Sequence, residues 1–75
     1  MSVLNGQIGT VYIVESLQMK GTTLRRLEAL GLTLGTKITV LNNKKSGTVI
    51  FMVRGTRLAV GRKIASAILI REESA

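Results

Sequence analysis

Five stretches of the chain carry apolar side chains with the period of two expected of strands. Over Thr10–Glu15, Val11 and Ile13 share one face, and Tyr12 and Val14 share the other. Lys37–Leu41 places Ile38 and Val40 inward and Lys37 and Thr39 outward. Val49–Val53 and Thr56–Val60 flank a two-residue Arg54-Gly55 connection, which predicts a tight hairpin. Ala67–Arg71 ends the series with Ile68 and Ile70 on one face.

The period changes between the first and second stretches. Leu24, Leu27 and Leu30 form an apolar stripe at helical spacing, with Arg25, Arg26 and Ala29 on the outer side. Thr22 or Thr23 is the predicted N-cap, and Gly31 stands where a helix end favours a left-handed residue. A second helical turn is predicted over Arg62–Ser66, and Asn42–Gly47 reads as a hairpin loop. The expected class is therefore mainly β: about five strands forming a small barrel, with one inserted α-helix and a short helical turn before the last strand. Closure of the barrel is expected because an open sheet this small leaves bare edges.

With 75 residues, the expectation is one domain over residues 1–75. Such a chain buries about 60–65% of the surface its unfolded form exposes, which leaves little room for a deep substrate cavity. The longest apolar runs, such as Ile64–Ile70, are too short to cross a bilayer, and no export signal opens the chain. Cysteine is absent, so a small domain without disulfide staples is expected inside the cell. Histidine is absent too. Imidazole bases, thiolate nucleophiles and the imidazole and thiolate metal ligands are thereby excluded. Four carboxylates remain, Glu15, Glu28, Glu72 and Glu73, the last two expected on a frayed tail. These give no converging oxygen set, so no catalytic residue, metal site or cofactor is expected.

Eleven Lys and Arg against four acidic residues give a net charge of +7 and point to an anionic neighbour. Nucleic acid is disfavoured. The cations are spread over the helix, two loops and the last turn, and only Tyr12 and Phe51 offer rings for base stacking. Phe51 shares a face with Val49 and Val53 and reads as core. Gly6-Gln7-Ile8-Gly9 runs straight into a strand, so its glycines read as a close approach, not a nucleic-acid clamp. No Gly-Lys-Ser or Gly-Lys-Thr phosphate loop occurs. Lys20, Arg25 and Arg26 form one candidate patch, for an acidic protein surface or lipid headgroups. The same charges equally serve solubility.

The hairpin yields the sharpest site. With Arg54-Gly55 as its turn, Val53 faces Thr56, Phe51 faces Leu58, and Val49 faces Val60, filling the core. Ile50 and Met52 then fall on the other face, opposite Ala59 and Arg57. Two large apolar residues facing outward predict a docking or self-association surface, unless the inserted helix covers them.

Gly6-Gln7-Ile8-Gly9-Thr10-Val11 resembles the opening of FeoA-type proteins, the small cytosolic partners of the bacterial ferrous iron transporter FeoB. Arg26-Leu27 followed by Leu30-Gly31-Leu32-Thr33-Leu34-Gly35-Thr36 is similar to that family's central helix and turn. Arg57–Ala65 with Ile68-Leu69-Ile70 is similar to its last strands. Where Leu34 and Gly61 stand, the family often carries proline and arginine.

The resemblance implies an SH3-like barrel without catalytic activity, cytoplasmic, and at the membrane only through its partner. It implies a protein that binds the cytoplasmic part of a FeoB-type ferrous iron permease and supports or regulates iron uptake. A homo-oligomer is compatible with this reading. Two alternatives stand beside it: a small basic barrel that binds nucleic acid, and a stand-alone relative of the SH3-like domain of iron-dependent repressors.

Overall fold

A computed structural model describes residues 1–73. The single-domain expectation over 1–75 thus runs two residues past the described ones. After a short 3-10 turn at Val3–Asn5, the chain forms β1 (Val11–Leu17), α1 (Gly21–Ala29), β2 (Lys37–Asn43), β3 (Val49–Val53), β4 (Thr56–Val60), α2 (Arg62–Ala67) and β5 (Ile68–Glu72). One antiparallel sheet has the order β4-β3-β2-β1-β5.

Full closure of the barrel is not what the structure shows. β4 and β5 are the two ends of the strand order, and no ladder joins them among the described residues. The six residues of α2 bridge that gap, and Ala65 is buried there. The outer edge of β5 is covered by the chain's own start. Ser2 bridges Leu69, the Ile70 amide donates to Met1 O at 2.7 Å, and the Met1 amine donates to Ile70 O at 3.1 Å. The edge of β4 has no such cover among the described residues.

Two irregularities bend the sheet. Pairing of β1 with β5 slips between Val14 and Ser16, and pairing of β2 with β3 slips between Val40 and Asn42. Each inserts one extra residue, Glu15 and Leu41, which the bulge turns out to solvent. Period-two reading loses phase at such a point, which is why it stops β1 at Glu15 and β2 at Leu41, two residues early.

The alternation otherwise holds. Tyr12, Val14, Ile38, Val40, Val49, Phe51, Val53, Ile68 and Ile70 are buried on the inner face. The hairpin register is the expected one, Val53 with Thr56, Phe51 with Leu58, and Val49 with Val60. Its turn puts Arg54 at φ 49° and Gly55 at φ 78°, both left-handed, as a two-residue turn matched to strand twist demands. Burying the single Tyr12 leaves its hydroxyl oxygen in need of a partner, and the Gln7 amide donates to it at 2.8 Å.

Helix α1 departs from expectation at its start. It opens at Gly21, its N-cap is Lys20 in an extended conformation, and no side chain caps it. Thr22 and Thr23 lie inside the first turn and so cannot be the cap. The leucine stripe divides as well: Leu27 is buried, Leu24 is half-buried, and Leu30 is exposed. A nine-residue helix against the rim of a small barrel buries one residue deeply and leaves its neighbours at the margin.

Gly31 ends the helix at φ 101°, and the Arg54 Nε–H donates to its carbonyl at 3.3 Å. A Cβ at Gly31 would stand 2.8 Å from Arg54 Cδ. Helix end and hairpin tip therefore meet at a glycine.

Glu72 and Glu73 are tied into the fold, against the expectation of a frayed tail. Glu72 pairs with Tyr12 in the sheet, and Glu73 makes an ion pair with Lys37 at 2.6 Å.

Candidate docking surface

Cross-strand register defines the outer face row by row. Val11, Thr39, Met52 and Arg57 lie side by side across β1, β2, β3 and β4. In the next row, Asn42, Ile50 and Ala59 are neighbours. On the other side, Arg71, Ile13 and Lys37 form a third. Val11, Ile13, Thr39, Ile50 and Met52 are half-buried, shielded by one another rather than sealed. Ile50 shares a shallow concavity with Leu41, Asn42 and Arg57. Three of the expected site residues, Ile50, Met52 and Arg57, are thus brought together on one face.

Lys20, Arg25 and Arg26 lie elsewhere. All three are exposed, on α1 or at its start. Arg26 is not on the far side of the helix from the leucines. It lines a cavity between α1 and β4 together with Leu27 and Leu30. Spacing along α1 explains this: Thr23, Arg26, Leu27 and Leu30 occur at i, i+3, i+4 and i+7, one continuous face. Lys20 lines an adjoining cavity with Met19 and Lys63. Arg25 lines neither.

Four of the cations are engaged within the molecule. Arg54 holds Gly31 O, Arg62 donates to Lys45 O at 3.4 Å, Lys37 meets Glu73, and Arg71 stands 4.0 Å from Glu15. Among the described residues, the other seven, Lys20, Arg25, Arg26, Lys44, Lys45, Arg57 and Lys63, have no side-chain partner of this kind and are exposed.

Sequence reasoning missed several surface apolar residues. Ile8 is 62% exposed and Leu34 65% exposed. Both sit in turns, where no periodicity assigns a face, so only an inventory of large apolar residues at glycine-flanked turns would have found them. Val11 and Ile13 were grouped on a face, but the alternation alone does not say which face is the core. Gly6 behaves as a close-approach glycine: a Cβ there would lie 2.9 Å from Val40 Cγ2. No group of three or more His, Cys, Asp or Glu that could hold a metal ion occurs among the described residues. No helix among them is long and apolar enough to cross a membrane.

The single curled sheet with its two helices recurs in known proteins. The family model described as FeoA domain matches residues 1–72. Fe(2+) transport protein A of Methanocaldococcus jannaschii is 30% identical over 64 residues, covering 85% of this chain and 77% of that protein. A crystal structure of an iron uptake regulatory protein (FeoA) superposes with TM-score 0.83 at 28% identity, covering 95% of this chain and 93% of the other. The solution structure of the FeoA protein from Chlorobium tepidum gives TM-score 0.85 at 24% identity, covering 99% of this chain and 71% of that one. The manganese regulator SloR shares the fold over 34% of its length, with TM-score 0.81 at 22% identity and 97% of this chain covered. The barrel is therefore SH3-like, of the kind found in FeoA proteins and in metal-dependent repressors. By the extent of the family match and the identity to its Fe(2+) transport relative, the chain belongs to the FeoA family, a small domain associated with Fe(2+) transport.

Proposed function

We propose that this protein is a non-enzymatic, cytoplasmic accessory of a FeoB-type ferrous iron permease, docking on the permease's cytoplasmic part through the outer face of its sheet. The observation that carries this reading is the row Val11, Thr39, Met52 and Arg57 with Ile50 beside it: apolar side chains left half-open and ending in an exposed arginine with no side-chain partner among the described residues. Partly open apolar surface rimmed by charge is the composition of protein interfaces. Docking acts mechanically. A protein that binds one arrangement of the permease's cytosolic parts more tightly than another shifts the population toward it. Lys20, Arg25 and Arg26 add attraction for an acidic partner surface, raising the rate of encounter more than the final affinity.

A tagged form of the chain, applied to membranes and lysate that contain such a permease, tests this directly. Wild type is expected to retain the permease, and a folded Ile50→Asp/Met52→Glu variant to lose it. Retention should survive a rise from 50 to 200 mM salt. If RNA is retained instead and is lost over that interval by ~10³-fold or more, the protein is a nucleic-acid binder and the proposal fails.

A further inference from the structure

The second strand of the hairpin, β4, is a bare edge with a groove beside it. In a two-residue hairpin the residues flanking the turn form a hydrogen-bonded pair, and such pairs alternate along the ladder. Val53 with Thr56, Phe51 with Leu58 and Val49 with Val60 are therefore the pairs bonded to each other. The N–H and C=O groups of Arg57 and Ala59 point the opposite way, off the sheet. Among the described residues neither makes a backbone bond to any other element.

Along this edge runs a cavity of about 240 Å³, walled by Leu58, Ala59 and Val60 on one side and by Arg26, Leu27 and Leu30 of α1 on the other. It shares Thr23 and Ile64 with a second cavity of about 390 Å³, bordered by Lys20 and Lys63. The Arg54 bond to Gly31 O ties the hairpin tip to the end of α1 and so holds the two walls together. The floor is apolar, the charged residues lining both cavities are cations, and none of the four carboxylates lines either one.

We propose that this edge binds an extended acidic segment of a partner protein as a sixth strand. Its backbone pairs with Arg57 and Ala59. The residue opposite Leu58 points into the groove and must be apolar, meeting Leu27, Leu30 and Leu58. Residues opposite Arg57 and Ala59 point to the outer face, where Arg57 favours an acid and the small Ala59 leaves room for one. Main-chain bonds supply affinity and the alternating side chains supply selectivity, as in other strand-addition interactions. A second copy of this chain is a poor occupant. Its own β4 brings Arg57 and no carboxylate, and each copy carries a net charge of +7. The groove and edge meet the Ile50 and Met52 face only at Arg57 and Ala59, and the test needs no permease, so either proposal can fail without the other.

The experiment titrates the isotope-labelled full chain with a seven-residue peptide alternating glutamate with leucine or valine, and separately with the same peptide carrying lysine for glutamate. Saturable binding of the acidic peptide alone is expected, with hydrogen-exchange protection gained at the Arg57 and Ala59 amides. Ala59→Pro removes an amide that the β3–β4 ladder does not use, and Leu30→Asp places a charge at an exposed wall position. Each should weaken binding about tenfold with the native spectrum retained. Absence of saturation, equal binding of the lysine peptide, or protection that spares Arg57 and Ala59 would overturn the proposal. Concentration-dependent protection of those amides without peptide would assign the edge to a second copy instead. Were a variant to lose its native spectrum, the wild-type protection pattern alone decides.

Discussion

Two strands of one hairpin, equal in length and facing each other residue for residue, lead different lives in this molecule. β3 has a ladder on both sides, and its Val49, Phe51 and Val53 are wholly buried. β4 has a ladder on one side only, and its inward residues fade from buried Val60 through half-buried Leu58 to exposed Thr56. Hydropathy distinguishes the two weakly, since both alternate. The difference comes from position: a central strand is covered on both flanks, whereas an edge strand is covered only as far as neighbouring elements reach. Here α1 reaches Leu27 into the core and then diverges, and the space it leaves beside β4 is the groove. Within the hairpin the wholly buried residues are all on β3, and the two proposed surfaces lie along β4 and on the outer face beside it.

The sharpest way to break this contrast is truncation at facing core positions. Phe51→Ala is expected to cost about 3–5 kcal/mol of unfolding free energy, enough to unfold many domains of this size. Leu58→Ala, directly opposite, should cost about 1–2 kcal/mol, because its side chain already touches solvent. Urea titration of both variants checks this, and equal losses would contradict the account.

Proline makes the comparison in the backbone. Ile50 and Ala59 are cross-strand neighbours whose amides point in opposite directions. Ile50→Pro removes a donor from the ladder to β2 and should cost about 2–3 kcal/mol. Ala59→Pro removes a donor that faces outward and should change stability by less than about 0.5 kcal/mol. Amide exchange of β2 in the two variants shows whether the assignment of edge and centre is right.

Much of this fold was legible in the amino-acid sequence. Arg54-Gly55 between two alternating runs sets the hairpin register, and the pairing of Phe51 with Leu58 but of Met52 with Arg57 marks which face is core. The bulges at Glu15 and Leu41 were not legible. Each is set by how the sheet must bend to cover its own core, a demand no local pattern carries. The same holds for the open edge: closure was the economical expectation, but six residues of α2 span the gap without pairing β4 to β5. Burial of Val3 and Leu32 was likewise out of reach, since one lies in a short 3-10 turn and the other in a connection, with no period to place either. Of the candidate site, Ile50, Met52 and Arg57 follow from hairpin register. The facing of Arg26 toward β4 was legible as well, since it shares the i, i+3, i+4, i+7 face of Thr23, Leu27 and Leu30. A stripe drawn through the leucines alone puts it on the outer side.

One measurement bears most directly on the outer face as the functional surface. Purified chain and the purified cytoplasmic part of a FeoB-type permease are titrated by calorimetry, with Met52→Glu as the companion variant. Met52 is half-buried, so its substitution should cost less than about 1 kcal/mol of stability. The account predicts saturable binding by wild type and its loss in the folded variant. Equal affinity of wild type and the folded variant would contradict it and would remove the outer face as the docking surface.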